Sequence, residues 1–357
     1  MKTLFILSAC LIIATNDYVS ESDIEREWKS FKDTYNKHYA DNATEEIRKQ
    51  IFINNTRMIK EHNAKFETGN VTFNMGMNQF GDMNHEEFLK RFSYREVNET
   101  HFRYNYSNNV SIDGPDNKEV RSRRSLPTEF RWEIPEEVIP VRDQGDCRSG
   151  WAYSAADTIA SRCFLHKDCK KTIGSLSVQY LINCTSNLGN HRCQGGEAAN
   201  ACDLVRLNKK MPDEKSYNRQ CSMAKFEHKI NLNIVRCCQL IVNDSRSSKN
   251  LKKSIRKLGP VSGSVSVEQP SFQFAKEGIY YEEKCEKVAN HDVLVVGYGT
   301  DNKGHNYWIV KNSFGISWGD NGFLKISARA TKDKCRILNR YMFPKFKDQR
   351  PDLIIFL

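Results

Sequence analysis

Between residues 22 and 92, apolar residues recur at helical spacing in a strongly charged background. Trp28, Phe31, Tyr35 and Tyr39 fall at i, i+3, i+7 and i+11, and Ile47, Ile51, Phe52, Met58 and Ile59 form a second series. Both series predict amphipathic helices whose apolar stripes need a partner surface. A turn-forming run, residues 144–150, then feeds a helix-compatible stretch over 151–159. After about residue 250 the texture changes to alternating β-branched and aromatic positions. The strongest predicted strands are 261–267 and 292–299, and 306–311 and 322–326 follow with Gly-rich turns between them. A helix-rich first part and a strand-rich second part predict an α+β fold of two lobes. The apolar end, residues 353–357, is expected to pack as a terminal strand.

Met1-Lys2 followed by the apolar run 4–13 and small residues Ala14 and Thr15 has the form of a secretory signal peptide over 1–15. The run is shorter than the ~18 apolar residues a membrane span needs, and no other stretch reaches that length. Export fits twelve cysteines and Asn-x-Ser/Thr sequons at Asn42, Asn54, Asn70, Asn98, Asn105, Asn109 and Asn243. An eighth sequon, Asn183, adjoins Cys184, where a disulfide is expected to block modification. The expected location is extracellular, with a lysosomal or other endomembrane compartment as the alternative. Residues 93–124 are polar and Asn-rich, reading as a solvated linker that ends in Arg121-Ser122-Arg123-Arg124. That tetrapeptide matches sites cut by secretory-pathway proprotein convertases. The net charge of +10 raises the question of an acidic partner, but the basic residues read as scattered along the chain, so no nucleic-acid partner is expected.

The run Gln144-Gly145-Asp146-Cys147-Arg148-Ser149-Gly150-Trp151-Ala152-Tyr153-Ser154 resembles the active-site signature of papain-like cysteine proteases, QGxCGSCWAFS. Arg48, Phe52, Asn55, Ile59 and Asn63 fall at the intervals of the ERFNIN helix of cathepsin L-like propeptides, with Thr44 where its Glu belongs and Glu45 next door. Gly76, Asn78, Phe80 and Asp82 match the same propeptide's GNFD motif. Leu126-Pro127 resembles the mature N-termini of the family. Cys193-Gln194-Gly195-Gly196 is similar to CNGG, and Trp318-Gly319-Asp320-Asn321-Gly322 to WGENG. The resemblance implies a helical inhibitory propeptide of the I29 type over 22–92, folded over the cleft with its tail running opposite to a substrate. It implies a peptidase C1-type domain over 125–357, with a helical left lobe and a β-barrel-like right lobe.

Hydrolysis of this type needs a thiolate, an imidazole, a group that orients the imidazole and a donor for the oxyanion. The resemblance assigns the oxyanion donor to Gln144, the base to His291 and its orienting residue to Asn312. At the nucleophile's position it finds Gly150, with no sulfur. Phe314 stands for the Trp that shields the His–Asn pair, and Arg148 for a Gly beside the substrate. Arg148, Ser149, Trp151, Gly195, Gly196, Phe314 and Trp318 are expected to line the cleft. Ser149 is expected to face away from His291, since one helical step turns a side chain by about 100°. The implied function is a secreted pseudoprotease that holds peptides, cystatin-like inhibitors, partner proteins or its own propeptide without cutting them. The alternatives are a cathepsin L-class endopeptidase of residual or altered activity, and a propeptide that inhibits active relatives. No cofactor or metal is expected, because no CxxC pair supports a cluster.

The resemblance also implies disulfides Cys147–Cys193, Cys184–Cys221 and Cys285–Cys335. Removal of Cys10 with the leader leaves eleven cysteines from twelve. Cys163, Cys169, Cys202, Cys237 and Cys238 stay unassigned; a Cys163–Cys169 loop is sterically reasonable, and at least one thiol must be free or intermolecular.

Overall fold

The computed structural model describes residues 20–93, 126–166, 174–222, 229–241, 245–283, 289–328 and 340–347. Three helices lead the chain: α1 (Glu21–Tyr35), α2 (Asn42–Glu67) and α3 (His85–Phe92). Each begins at a residue whose side-chain oxygen accepts from a free backbone N–H of the first turn. These caps are Ser20, Asp41 and Asn84, the last in a capping box with Glu87. α1 stops at Asn36, which takes a left-handed conformation (φ 50°). The first apolar series therefore leaves the helix before Tyr39, which comes back to stack on Trp28 at 5.7 Å. Trp28, Phe31 and Phe52 form the small core between α1 and α2. Ile47, expected on the inner face of α2, is instead exposed.

The helical lobe is built on α4 (Gly150–Leu165), with α5 (Val178–Cys184) and α6 (Ala198–Asn208) packed beside it. α4 runs six residues beyond the predicted end at 159, and thirteen of its sixteen residues are buried, so it is a core helix with no solvent face. The opposing sheet runs β1 (Phe73–Met75), β7 (Ala275–Tyr280), β10 (Phe323–Ser327), β9 (Asn306–Lys311), β8 (His291–Thr300), β6 (Val261–Val265), β11 (Arg340–Phe346) and β5 (Ile234–Ile241). A short β2 (Phe130–Arg131) joins β8. The path is open, with β1 and β5 at its ends among the described residues, and this corrects the barrel-like expectation. The four predicted strands are all present, with ends moved by one or two residues. β5, β7 and β11 carry little alternation and escaped prediction. The expected terminal strand at 353–357 lies outside the described residues, as do the leader, the linker and the Arg121–Arg124 motif.

β1 comes from the leading region and pairs antiparallel with β7, and Ile59, Phe73, Met75, Phe80, Phe88 and Phe92 share one core cluster with the strands. The leading helices are thus held on the sheet by strand addition and by aromatic packing together. The disulfides Cys147–Cys193 and Cys184–Cys221 are present, while Cys285, Cys335 and Cys169 lie outside the described residues. Cys202 bonds Cys237, tying α6 to β5; Cys163 is disulfide-bonded and Cys238 keeps a free thiol. Of the sequons, Asn42, Asn54 and Asn70 are exposed, and Asn98, Asn105, Asn109 and Asn243 lie outside the described residues.

One carboxylate joins the two lobes. Asp157 of α4 accepts from Arg142 Nη2 and from Lys311 Nζ of β9, each at 2.6 Å, with Asp157 and Lys311 almost wholly buried. Asp157→Ala leaves both cations short of their buried partner, and we expect a loss of about 3–5 kcal/mol in urea unfolding of the full chain.

Candidate functional site

Gly150 opens α4, His291 opens β8 and Asn312 follows β9, so the junction of helix and sheet brings the three together. His291 Nε2 lies 2.7 Å from Asn312 Oδ1, which also accepts from the Ser313 N–H at 2.8 Å. With Oδ1 as acceptor, Nε2 carries the proton of the neutral ring, and the Nδ1 lone pair is left on the Gly150 side. An ideal Cβ on Gly150 would stand 2.6 Å from His291 Cε1, 2.9 Å from Nδ1 and 3.1 Å from the Asp292 carbonyl oxygen. The imidazole thus lies in the space that any side chain at residue 150 needs.

Burial dominates the protonation of this ring. His291 is 1% exposed, and desolvation pushes its pKa down to about 4, against hydrogen bonds to Asn312 and the Phe92 backbone that favour the charged form. The imidazole is therefore neutral at physiological pH. Phe314 packs on it at 4.8 Å between ring centroids, and Phe92 packs on Phe314 at 4.3 Å. Phe80, Phe88, Phe272 and Trp318 complete an aromatic cluster around Phe314.

The remaining candidates fall into two groups. Gln144 is buried; its Oε1 accepts from Ser313 Oγ at 2.6 Å and its Nε2 donates to the Cys147 carbonyl at 2.7 Å. One of its two N–H groups is therefore committed inside the protein. Arg148 lies on the cleft, where its Nε donates to the Lys90 carbonyl of α3 at 2.7 Å. Ser149 is fully buried and its hydroxyl donates to the Cys147 carbonyl at 3.3 Å. Trp151 is wholly buried in the core of the helical lobe, which corrects its expected place on the cleft wall.

Gly195 holds φ 123°, ψ 173°, a conformation open essentially to glycine alone. A Cβ on Gly196 would meet Asn190 and Trp151 within 2.8 Å, so internal packing already requires this glycine. Trp318 is buried and donates from Nε1 to the Phe272 carbonyl at 3.1 Å.

Motif spacing did not single out the residues that close the cleft. Arg91 Nε lies 3.1 Å from the Gly145 carbonyl and 2.8 Å from Asp146, and Phe92 reaches the His291 ring. The i, i+4 pair Phe88 and Phe92 was the available signal. Behind them, Asn78 Nδ2 donates to the Gln273 carbonyl at 2.8 Å, and Gln273 Nε2 donates to the Phe80 and Met83 carbonyls. The ERFNIN-type residues brace this segment from α2. Arg48 bonds Glu87, Asn55 Nδ2 donates to the Gly81 and Met83 carbonyls, and Asn63 pairs with the Met75 backbone. No group of three His, Cys, Asp or Glu suited to a metal ion occurs among the described residues.

A helix whose first residue faces a His–Asn pair on a sheet, with a helical segment laid across the junction, defines a two-lobed peptidase fold in its proform. Residues 126–345 match the papain family cysteine protease model and residues 28–88 the cathepsin propeptide inhibitor domain. The chain belongs to the papain family and is cathepsin L-like. It is 34% identical to digestive cysteine proteinase 3 of Homarus americanus over 89% of this chain and 94% of that protein. It is 32% identical to cathepsin L1 of Drosophila melanogaster over 96% and 91% of the two chains. The solved digestive procathepsin L 3 of Tenebrio molitor larval midgut superposes with a TM-score of 0.71 at 30% identity, covering 90% of this chain and 99% of that one.

Two outcomes follow from the ring's position. Gly150→Ala, which ordinarily favours a helix, is expected to destabilise the protein by about 1–3 kcal/mol in urea unfolding, because the added methyl must displace a ring held on both faces. His291 has a folded pKa below its unfolded value. Its contribution is therefore intact above about pH 6.5 and is lost as pH falls from there towards about 4. The stability difference between wild type and His291→Gln, followed by thermal melts from pH 7 to pH 4, should shift in favour of the variant across that window.

Proposed function

We propose that this chain is an exported, glycosylated papain-family pseudoprotease whose cleft holds a peptide segment without cleaving it. The observation that carries the reading is Gly150, which presents only hydrogen to His291 at the position the family resemblance assigns to the nucleophile. Losing a nucleophile that works as a unit with its base costs on the order of 10⁶ in rate. A neutral, deeply buried imidazole with no anion beside it among the described residues fits a ring that does not partner a thiolate. Cys147 is no substitute, since its sulfur is spent in a disulfide, and the Ser149 hydroxyl is directed to the Cys147 carbonyl.

The cleft's occupant in this structure is the propeptide, and beside its aromatic packing several of the hydrogen bonds that hold it are directed to its backbone. Arg148 donates to the Lys90 carbonyl and Gln273 to those of Phe80 and Met83. Such contacts read an extended or turning main chain rather than one side-chain sequence. Release of residues 22–124 by cleavage at 121–124 exposes Phe314, Trp318 and Arg148 to a peptide, to a cystatin-like inhibitor or to a partner protein. The leader at 1–15 and the exposed sequons Asn42, Asn54 and Asn70 support export.

The test uses purified chain cut at 121–124 by a convertase-type protease. It is incubated with fluorogenic peptide substrates and, separately, titrated with a synthetic peptide of residues 72–93. The expected result is no turnover and saturable peptide binding that Arg148→Gly weakens about tenfold. Turnover abolished by His291→Ala overturns the reading in favour of an active endopeptidase. Failure to bind, with potent inhibition of an active relative by residues 22–124, moves the function to the propeptide.

A further inference from the structure

Cys238 is the one described cysteine outside a disulfide, and it stands next to Cys237, which is bonded to Cys202. Successive residues of a strand face opposite sides of a sheet. Cys237 accordingly sits in the core of the helical lobe, while Cys238 packs on the core cluster of the other face. The neighbouring disulfide is turned away from the thiol, and the described residues offer it no second thiol to pair with. Its surroundings are cationic. Cys238 opposes Phe343 across the β5–β11 ladder, and Arg236 opposes Lys345 two residues along, on the same face. Arg162, from the last turn of α4, lays its guanidinium over the Phe343 ring at 4.7 Å.

Arg162 carries a polar demand that the fold leaves unmet. It is 1% exposed, and burial pushes its pKa down to about 9, so the group stays charged at neutral pH. Its Nε donates at 2.8 Å to the carbonyl of Leu258, the last residue of α7 (Ser245–Leu258). Nη1 and Nη2 are buried and have no hydrogen-bond partner among the described residues. A buried cation with both Nη groups uncommitted calls for an anion with two acceptor oxygens. Among the described residues no carboxylate acts on Arg162, and the group coupled to it is Cys238. Burial pushes the Cys238 thiol up, against the pull of Arg236, Arg162 and Lys345. The thiol is therefore neutral at physiological pH and supplies no counter-charge.

Oxidation turns a thiol into such a two-oxygen anion. Cys238 is half-buried, which admits a small oxidant and hinders a bulky one. We propose that Cys238 is a site of oxidation by hydrogen peroxide and that its sulfinate product is held by Nη1 and Nη2 of Arg162. In the first step the sulfur attacks one peroxide oxygen. The S–O bond forms, the O–O bond breaks, and a sulfenic acid and water result. With no second thiol beside it among the described residues, the sulfenic acid is not resolved as a disulfide. A second peroxide reacts in the same way, giving the sulfinate, water and a proton released to solvent. Each step takes two electrons from sulfur and reduces one peroxide to water. Because the thiolate is scarce, the reaction is slow and needs excess oxidant. The anion then ties β5 to α4 through Arg162, away from the cleft and independently of whether the chain cleaves peptides.

The test treats full-length protein with excess hydrogen peroxide, maps its peptides by mass spectrometry and follows thermal melts. Cys238→Ser, treated alike, corrects for oxidation at methionines. The peptide carrying Cys238 should gain two oxygen atoms, and after that correction the oxidised protein should melt about 2–4 °C higher as Arg162 gains its anion. In Arg162→Leu the same oxidation should lower the melting temperature, because the new charge is then buried without a partner. Cys238→Asp places a carboxylate at the site without any oxidant. It should melt above Cys238→Asn while Arg162 is present, and below it in the Arg162→Leu background. If Arg162→Leu fails to fold, the comparison of Cys238→Asp with Cys238→Asn in the otherwise unchanged chain still decides. A Cys238 left unoxidised while methionines take up oxygen would overturn the proposal. So would a corrected melting temperature that falls on oxidation, or a Cys238→Asn chain that melts at or above Cys238→Asp.

Discussion

The contact on which the site depends is the burial of Phe314 between the His291 ring and the aromatic face of the propeptide. Phe314 touches His291 on one side and Phe92 on the other, with Phe80, Phe88, Phe272 and Trp318 around it. A cluster of this size contributes mainly by removing apolar surface from water, and ring pairs add about 0.5–1.5 kcal/mol each beyond area. It also sets the electrostatics of the site. By excluding water it makes the charged imidazole costly, which is why a ring with a hydrogen-bond partner still stays neutral. Desolvation wins over hydrogen bonding here because no anionic group among the described residues offsets it.

Geometry at the start of α4 follows from the same packing. A residue without a side chain lets the imidazole settle against the helix backbone, and Asn312 fixes the tilt of the ring from the far side. The propeptide covers an apolar surface of the following domain and shares one core cluster with it. Its backbone carbonyls are met by Arg148 and Gln273, which supply donors where the buried chain would otherwise lose water.

Much of this was legible in the sequence because short-range rules act within single elements. The His291, Asn312 and Gln144 positions came from motifs embedded in local matches, and the structure brings all three to one junction. The ERFNIN-type Asn55 and Asn63 likewise act through α2's spacing, about two turns apart on the face that meets the 75–83 segment. What stayed hidden depends on distant partners. Trp151 looks like a cleft residue by adjacency, but α4 is buried on every side, so its first turn points inward as readily as outward. Ile47 fits an apolar series and yet faces solvent, because α1 meets that turn of α2 through Glu45, which bonds Trp28 and Lys32, and not through Ile47. β5, β7 and β11 lack a strong period of two, and their strand state is imposed by neighbours. The arginine contacts of Arg91 and Arg148 join segments more than fifty residues apart, and no local pattern encodes them.

The shared carboxylate of Asp157 has a mechanical meaning beyond its charge. By clamping the loop residue Arg142 and the strand residue Lys311 to the central helix at once, it stops the lobes from sliding and sets the width of the groove between them. A groove of fixed width loses little entropy when a chain settles into it, so stiffness itself becomes a source of affinity.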